Sequence, residues 1–260
     1  MTDLELLRTQ LKRLGLRTMA QIFEDEAHKA AKTQASYTAY LARLVEDELV
    51  AKVDRSVNAR IAKARLPIVR TLEEFDFSFQ PSLPAARIRE LAELGFLERA
   101  ENIVFVGRPG VGKTHLAAAL ALRCCQARKR VLCYQALELL EQLLAADATH
   151  TLARFSQALG RLDLLVVDEL GYTPMDARRA NLFFQLVNHL YTRVSLVLTT
   201  NVTFDSWGRL FGGDEMIAAA ILDRLLHLSH VFLIAGPSYR MRGKLALPTS
   251  QVTDPRGDTG

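Results

Sequence analysis

The sequence predicts an α/β fold in which a parallel sheet is sandwiched by helices and a small all-helical N-terminal domain precedes the sheet. Two observations predict the sheet. Short runs that are mostly β-branched or leucine-rich alternate with helical patterns after residue 84, and a glycine-rich stretch follows the first run directly. A third observation predicts the helical domain, because the first 65 residues show the apolar spacing of helices.

The N-terminal region contains two apolar patterns with helical spacing. The first lies on one helix face and consists of Leu4, Leu7, Leu11 and Leu14. The second marks a long helix and consists of Tyr37, Leu41, Leu44, Val45, Leu49, Val53, Val57 and Ile61. Ser36 is a candidate N-cap of the long helix, and Leu66-Pro67 ends it, because the residue before a proline is pushed out of the helical region.

The rest of the chain reads as alternating strands and helices. Apolar runs predict strands at Ile103–Val106, Val131–Tyr134, Leu164–Val167, Ser195–Thr200 and Val231–Ala235. Helical patterns lie near residues 113–127, 136–146, 151–160, 176–192 and 214–228. The predicted divisions are a helical basic domain (1–70), a linker (71–84), a nucleotide-binding domain (85–247) and a flexible tail (248–260).

Composition indicates an ordinary soluble protein and excludes several classes. The N-terminus lacks the apolar segment of a signal peptide, and no stretch approaches the roughly 18 apolar residues of a membrane span. We therefore expect a cytoplasmic protein without membrane contact. Cys124, Cys125 and Cys133 lie in apolar segments without metal-ligand spacing, which favours small buried hydrophobic residues.

The charge is unevenly distributed. Residues 1–70 contain 13 Lys and Arg against 9 Asp and Glu, whereas the remaining chain contains 20 of each sign, so the whole net charge of +4 lies before the linker. The excess is densest over residues 52–70. The candidate DNA-binding residues there are Lys52, Arg55, Arg60, Lys63 and Arg65. Such a face either is merely solvated or contacts phosphate oxygens without reading bases.

A phosphate-binding loop (P-loop) follows the first predicted strand. The motif G-x-x-x-x-G-K-[ST] is matched by Gly107, Arg108, Pro109, Gly110, Val111, Gly112, Lys113 and Thr114. The glycines let backbone N–H groups converge on phosphate oxygens at a helix N-terminus. We expect Lys113 to reach the β- and γ-phosphates and the Thr114 hydroxyl to bind Mg²⁺, with His115 as a helix-start residue beside the nucleotide.

Two further strands end in polar residues. The buried strand LDLLVVDELG delivers Asp168 and Glu169 to the carboxyl edge of the sheet, where Asp168 is expected to hold Mg²⁺ and Glu169 to polarise the attacking water. The strand SLVLTTN ends in Asn201, which would contact the γ-phosphate or the water rather than serve as an ordinary turn residue. The chain has no Asn-Lys-x-Asp stretch of the kind that reads guanine, which favours ATP.

The order of these motifs, GRPGVGKT, LLVVDE and LVLTTN, is that of AAA+ ATPases. Together with LEEFDF (72–77), AAAILDRLLH (218–227) and GPSYRMR (236–242), it makes the chain resemble the IstB group. These are ATP-binding helper proteins of insertion-sequence transposition, related to the DnaC helicase loaders. The resemblance covers nearly the whole chain and implies a P-loop AAA+ fold with ATP and Mg²⁺ as cofactors.

The resemblance also implies roles for two arginines. Arg224 matches the finger that enters the ATP site of a neighbouring subunit and supplies charge to the transition state, the alternative being a surface pair with Asp223. Arg240, with Arg242, matches a position that senses nucleotide within its own subunit. We expect no full C-terminal helical lid, because only 24 residues follow Gly236.

These features together predict an ATPase that assembles on duplex DNA and assists a cognate transposase. A finger acting in trans requires an ATP-dependent homo-oligomer, either a ring or a helix. The first alternative is a DnaC-like helicase loader, which would prefer single strands. A small-molecule kinase and a non-hydrolysing nucleotide switch are the others, and the Asp168-Glu169 pair argues against the kinase.

Overall fold

The computed structural model describes residues 2–241, so the predicted tail (248–260) and Arg242 lie outside the described residues. The predicted α/β fold is confirmed: a five-stranded, fully parallel sheet has helices on both faces. Its strands are β1 (Asn102–Gly107), β2 (Val131–Gln135), β3 (Leu164–Leu170), β4 (Ser195–Thr200) and β5 (Ser229–Ile234). Their order across the sheet is β2-β3-β4-β1-β5.

The helices occupy the positions that the apolar patterns predict, with additional short ones. The N-terminal helices are α1 (Asp3–Arg13), α2 (Met19–Thr33) and α3 (Tyr37–Ala64). Those around the sheet are α4 (Ala85–Leu91), α5 (Gly95–Glu98), α6 (Lys113–Gln126), α7 (Ala136–Ala148), α8 (Leu152–Leu159), α9 (Ala177–Leu190), α10 (Trp207–Leu210) and α11 (Glu215–Leu226). The short helices α4, α5 and α10 have no counterpart in the sequence prediction because so few turns give little periodicity, and α2 was covered only by the general expectation that the first 65 residues are helical.

Local sequence explains how the N-terminal helices begin and end. The Thr2 hydroxyl accepts the Glu5 N–H while the Glu5 carboxylate accepts the Thr2 N–H, which caps α1. Ser36 caps α3 by accepting the Ala39 N–H, as predicted. Helix α3 ends when Arg65 adopts a left-handed backbone with φ of 56°.

The apolar pattern that predicts α3 is largely exposed in the single chain. Tyr37, Leu41, Val45 and Leu49 are 93%, 53%, 42% and 58% exposed. The first half of α3 packs mainly on α2, with Leu44 in a small cluster that Leu11 of α1 also joins, whereas its last turns contact α6 and β2. Helical spacing therefore identified the helix correctly, but more than half of the apolar residues that predicted it are exposed in the single chain.

Two hydrophobic cores flank the sheet, because successive residues of a strand point to opposite faces. In β4, Leu196 and Leu198 pack with α7, α9 and α11, whereas Val197 packs with α6. Cys124, Cys125 and Cys133 are buried in the second core, as predicted. Burial raises the pKa of Cys124 to about 12 and that of Cys125 to about 11, so these thiols stay protonated.

The segment predicted as a linker packs against the second core. Leu72, Gln80 and Leu83 are buried, and Phe77–Phe79 forms a turn of 3-10 helix. The carboxyl ends of the parallel strands meet at one edge of the sheet, beside this segment. Among the described residues, no helix is long and apolar enough to span a bilayer.

Candidate active site

The P-loop connects β1 to the N-terminus of α6, and two of its glycines are required by geometry. Gly110 and Gly112 have φ of 83° and 100°, a region that favours glycine. A Cβ on Gly112 would lie 2.6 Å from the ring of Phe75, and one on Gly110 would lie 2.1 Å from the Ser238 hydroxyl. The loop is therefore enclosed on both sides by neighbouring segments.

Lys113 is buried at the end of this loop. Only 7% of the residue is exposed, and its Nζ donates to the carbonyl oxygens of Gly107 and Arg108 at 2.8 and 3.0 Å. Burial lowers the pKa of Lys113, and the nearby carboxylates of Asp168 and Glu169 partly oppose that effect. A buried ammonium at a helix N-terminus favours an anionic ligand such as phosphate.

Thr114 and Asp168 meet across the cleft between α6 and β3. The Thr114 hydroxyl lies 3.0 Å from both carboxylate oxygens of Asp168, which is 3% exposed. One hydroxyl and one carboxylate are hard oxygen donors of the kind that Mg²⁺ takes together with substrate phosphates and water. The donor set fits Mg²⁺, and no cluster of three or more His, Cys, Asp or Glu that could hold a metal by itself exists among residues 2–241.

Glu169 lies beside Asp168 but in a different backbone conformation. Its φ of 62° is left-handed, and the pairing of β3 with β4 shifts register between Val167 and Leu170. The side chain is half-buried and faces the same cavity as Lys113. The irregular strand end therefore places a carboxylate beside the phosphate loop, where a water-activating base belongs.

The P-loop, the Glu169 carboxylate and the linker segment surround one cavity of about 500 Å³, a size typical of small-molecule sites. Several lining residues had no predicted site role: Ile68, Phe75, Gln80, Tyr172, Thr199 and Tyr239. Three of them lie inside motifs that carry the family resemblance, Phe75 in LEEFDF, Thr199 in LVLTTN and Tyr239 in GPSYRMR, and that was the available sequence signal.

His115 and Arg240 both line this cavity. His115 Nε2 lies 2.8 Å from the Thr71 carbonyl oxygen, which ties the start of α6 to the linker segment. Arg240 follows Tyr239, whose N–H donates to the Gly110 carbonyl at 2.8 Å. The sequence predicted both residues beside the nucleotide; both lie in the lining of this cavity, and their contact with a nucleotide stays a prediction.

A comparison with protein families identifies the chain. A family model described as "IstB-like ATP binding protein" matches residues 9–246. The chain belongs to this family. Membership explains why the P-loop, the Asp168-Glu169 strand and the helical N-terminal region occur together in one chain.

Two curated relatives are similar along nearly their whole length. The "Insertion sequence IS21 putative ATP-binding protein" of Pseudomonas aeruginosa is 42% identical over 98% of this chain and 96% of its own. The corresponding IS5376 protein of Geobacillus stearothermophilus is 39% identical over 89% of this chain and 92% of its own. This IstB-like chain is therefore similar to ATP-binding proteins of insertion sequences.

Solved structures show the same AAA+ fold at lower identity. DnaI is 21% identical with a TM-score of 0.52, covering 64% of this chain and 90% of its own. AMPPCP-bound DnaA from Aquifex aeolicus is 22% identical with a TM-score of 0.54, covering 65% of this chain and 51% of its own. At this identity the similarity concerns the fold alone.

Asn201 is placed differently from the other predicted site residues of the IstB-like chain. It follows β4 immediately but is exposed, and the described residues that line the cavity include Thr199 and not Asn201. The contact of Asn201 with phosphate or water stays a prediction.

Arg224 lies at the opposite edge of the sheet from the P-loop of its own subunit. Asn102, at the first position of β1, donates to the backbone carbonyls of Arg224 and Leu225 at 3.5 and 3.0 Å. The Arg224 guanidinium donates through Nε to Asn188 Oδ1 and through Nη1 to the Ala220 carbonyl, both at 2.9 Å. Arg224 is therefore far from its own cavity, as a residue acting on a neighbour would be.

The five basic residues predicted to bind DNA are not equivalent in the structure. Lys52 and Lys63 are exposed, with no ion pair to a described residue. Arg55 pairs with Glu48 at 2.6 Å. Arg60 is half-buried, and its Nε has no hydrogen-bond partner among the described residues.

Arg65, the fifth of these residues, faces the ATPase fold instead of solvent alone. It pairs with Glu138 at the start of α7, and its guanidinium lies 5.1 Å from the centre of the Tyr134 ring. Arg55 and Arg65 therefore hold parts of the chain together, whereas Lys52 and Lys63 are exposed; DNA binding by any of the five stays a prediction.

Proposed function

We propose that this protein is an ATP-dependent DNA-binding ATPase that assembles on duplex DNA and assists a cognate transposase. The observation that supports hydrolysis most directly is the convergence of Lys113, Thr114, Asp168 and Glu169 at one edge of the sheet. The insertion-sequence relatives support the transposition role, because they are ATP-binding proteins of mobile elements.

Each residue of the site has a chemical task in the proposed reaction. The backbone amides of the P-loop and Lys113 bind the ATP phosphates, and Mg²⁺ held by Thr114 and Asp168 neutralises charge on them when bound. Glu169 orients a water and accepts its proton as the water oxygen bonds to the γ-phosphorus. The bond from that phosphorus to the bridging oxygen breaks, and ADP and phosphate leave.

The proposed assembly supplies the remaining charge. Arg224 of one subunit would stabilise the transition state in its neighbour, which requires head-to-tail contacts in a ring or helix. Each subunit of that assembly would contribute its own Lys52 and Lys63. Many weak contacts with phosphate oxygens would then sum to tight binding of duplex DNA. Hydrolysis would then release the assembly, so the nucleotide limits the lifetime of the DNA-bound state.

The proposal is tested by measuring duplex binding as a function of nucleotide and salt. We expect ATP-dependent binding that weakens as salt rises, and Glu169→Gln should retain ATP and stay on DNA while turnover falls roughly 10²- to 10⁴-fold. Lys52→Glu with Lys63→Glu should weaken binding and flatten the salt dependence. The matched control reverses the charge of two exposed arginines outside the basic region by Arg154→Glu with Arg161→Glu.

Different outcomes favour the alternatives. Preference for single strands would favour a helicase loader, and turnover that requires a small-molecule acceptor would favour a kinase. Binding that is independent of salt or unaffected by Lys52→Glu with Lys63→Glu would contradict the proposed DNA surface. Capture of the transposase encoded beside the gene, with and without ATP, tests the partner.

A further inference from the structure

The end of β3 contains a bulge whose position is set by the sheet register. Val167 pairs with Leu198 and Leu170 pairs with Thr200, so Asp168 and Glu169 together lie opposite the single residue Thr199. Two residues opposite one define a β-bulge, which is rare between parallel strands and often re-aims a side chain beside an active site.

The bulge changes which face each later residue of β3 occupies. Leu165 and Val167 belong to the core with α7 and α9, and Leu170 returns to that same core although strict alternation would place it on the other. Glu169 is therefore the inserted residue. Without the insertion Glu169 would point into an apolar core, and with it the carboxylate lines the cavity.

The side chain of Thr199 replaces the backbone pairing that the bulge removes. Its hydroxyl oxygen accepts the Glu169 N–H at 2.9 Å and lies 2.5 Å from Asp168 Oδ1. An ionised carboxylate only accepts hydrogen bonds, so the hydroxyl proton points to Asp168 and a lone pair receives the N–H. Thr114 donates to the same carboxylate from the other side.

We propose that Thr199 is a positioning residue that fixes the metal-binding carboxylate and the backbone of the catalytic base with one hydroxyl group. The inference rests on the proposed function. Thr199 is fully buried, and its hydroxyl group contacts both the Glu169 N–H and the Asp168 carboxylate. Removal would leave the Glu169 N–H unpaired and the Asp168 carboxylate free to rotate, while Glu169 retains a strained left-handed backbone.

The neighbouring residue provides a matched control. Thr200 is also fully buried in β4, but its hydroxyl accepts the Val202 N–H at 3.1 Å and, among the described residues, forms no hydrogen bond with Asp168 or Glu169. Thr200→Val therefore removes a hydroxyl group from the same strand at a comparable structural cost. Unlike Thr199→Val, it leaves the hydrogen bonds of Thr199 with Asp168 and Glu169 in place.

The experiment compares Thr199→Val, Thr199→Ser and Thr200→Val by turnover and by binding of a non-hydrolysable ATP analogue over a Mg²⁺ titration. We expect Thr199→Val to lower kcat about 10- to 100-fold. Binding of the ATP analogue should respond less to added Mg²⁺ than in the wild type, while KM for ATP at saturating Mg²⁺ should be nearly unchanged. Thr199→Ser should restore most activity because it keeps the hydroxyl, and Thr200→Val should remain near wild type. If Thr199→Val does not fold, Thr199→Ala has the same expected result.

Turnover of Thr199→Val within threefold of wild type would overturn the proposal, and so would equal losses in Thr199→Val and Thr200→Val. A Thr199→Ser variant as defective as Thr199→Val would also overturn it. If the wild-type protein hydrolyses no ATP with or without DNA, the proposed function fails. The Mg²⁺ titration still decides the role of Thr199 in that case, because it requires no hydrolysis.

Discussion

Asn188 holds the side chain of Arg224 through one edge of the guanidinium. Nε is bound to Asn188 and Nη1 to the Ala220 carbonyl, and the guanidinium lies 5.2 Å from the centre of the Phe184 ring. Nη2 forms no hydrogen bond or ion pair with a described residue, which leaves it open to a phosphate oxygen. A planar fork fixed in this way loses less entropy when it binds.

If Arg224 serves a neighbour's site as proposed, Asn188→Ala should lower turnover without changing the affinity for ATP. Steady-state kinetics at several protein concentrations, with a nucleotide-binding titration, would measure both quantities. Asn181→Ala is the matched control, since Asn181 is an exposed residue of α9 that bonds only Gln185. Equal effects of the two variants would show that Asn188 does not position Arg224.

The position of a site residue was predictable from the sequence wherever the residue belongs to a short, recognisable motif. Lys113, Thr114, Asp168 and Glu169 converge as predicted, because the P-loop and a strand end fix their places. Thr199 was not predictable, since a threonine inside a strand looks like any β-branched strand residue. Only the register of β3 against β4 places it opposite the bulge.

At the scale of elements, Glu101 joins the end of α5 to the first residues of β1 and β5. Its carboxylate accepts from Arg99 at 2.7 and 2.9 Å and lies 2.9 Å from His230 Nε2. The hydrogen bonds from Arg99 are the main cause that lowers the pKa of Glu101 to about 2, with His230 contributing. This joint lies at the opposite edge of the sheet from the cavity.

The lowered pKa of Glu101 predicts a pH-dependent contribution to the free energy of unfolding. A carboxyl group whose folded pKa is depressed from 4.5 to about 2 stabilises the fold above pH 4.5 and loses that effect as the pH falls toward 2. Glu101→Gln should therefore lower the thermal midpoint near neutral pH, and the difference from wild type should shrink on acidification.

Melting curves followed by circular dichroism across this pH range would check that prediction. Glu98→Gln is the control, because Glu98 is exposed at the end of α5 and forms no ion pair with another described residue. A difference between Glu101→Gln and wild type that stays constant with pH would contradict the prediction.

The elements themselves were largely predictable because long apolar patterns have a clear period. All five strands, and the longer helices apart from α2, lie within a few residues of their predicted positions, whereas α2 was expected only as part of an all-helical region. The linker segment was predicted as irregular, but its packing against the P-loop was not, because that contact joins residues far apart in sequence such as Phe75 and Gly112.

At the scale of the whole molecule, the separation of Arg224 from its own cavity predicts complementation between subunits. Lys113→Ala removes nucleotide binding but keeps the finger, whereas Arg224→Ala keeps the cavity and removes the finger. Each variant alone should be inactive. An equal mixture should regain turnover at about a quarter of the interfaces, where an Arg224→Ala cavity meets a Lys113→Ala neighbour.

ATPase assays on the mixture, with light scattering to measure assembly, would test this expectation. Mixing Arg224→Ala with a variant that carries both substitutions is the control and should stay inactive. No recovery in the first mixture despite assembly would exclude a role for Arg224 in trans.

The sequence by itself determined the fold class, the family and the phosphate-binding motif, because periodicity and short motifs depend on residues close together in the chain. The tertiary structure decided which polar residues reach the cavity. It placed Thr199 against the Asp168 carboxylate and the Glu169 N–H, left Asn201 exposed, and turned Arg65 toward Glu138. Strand register, a one-residue bulge and interhelical packing decide these positions, and each depends on contacts between segments that are remote in sequence.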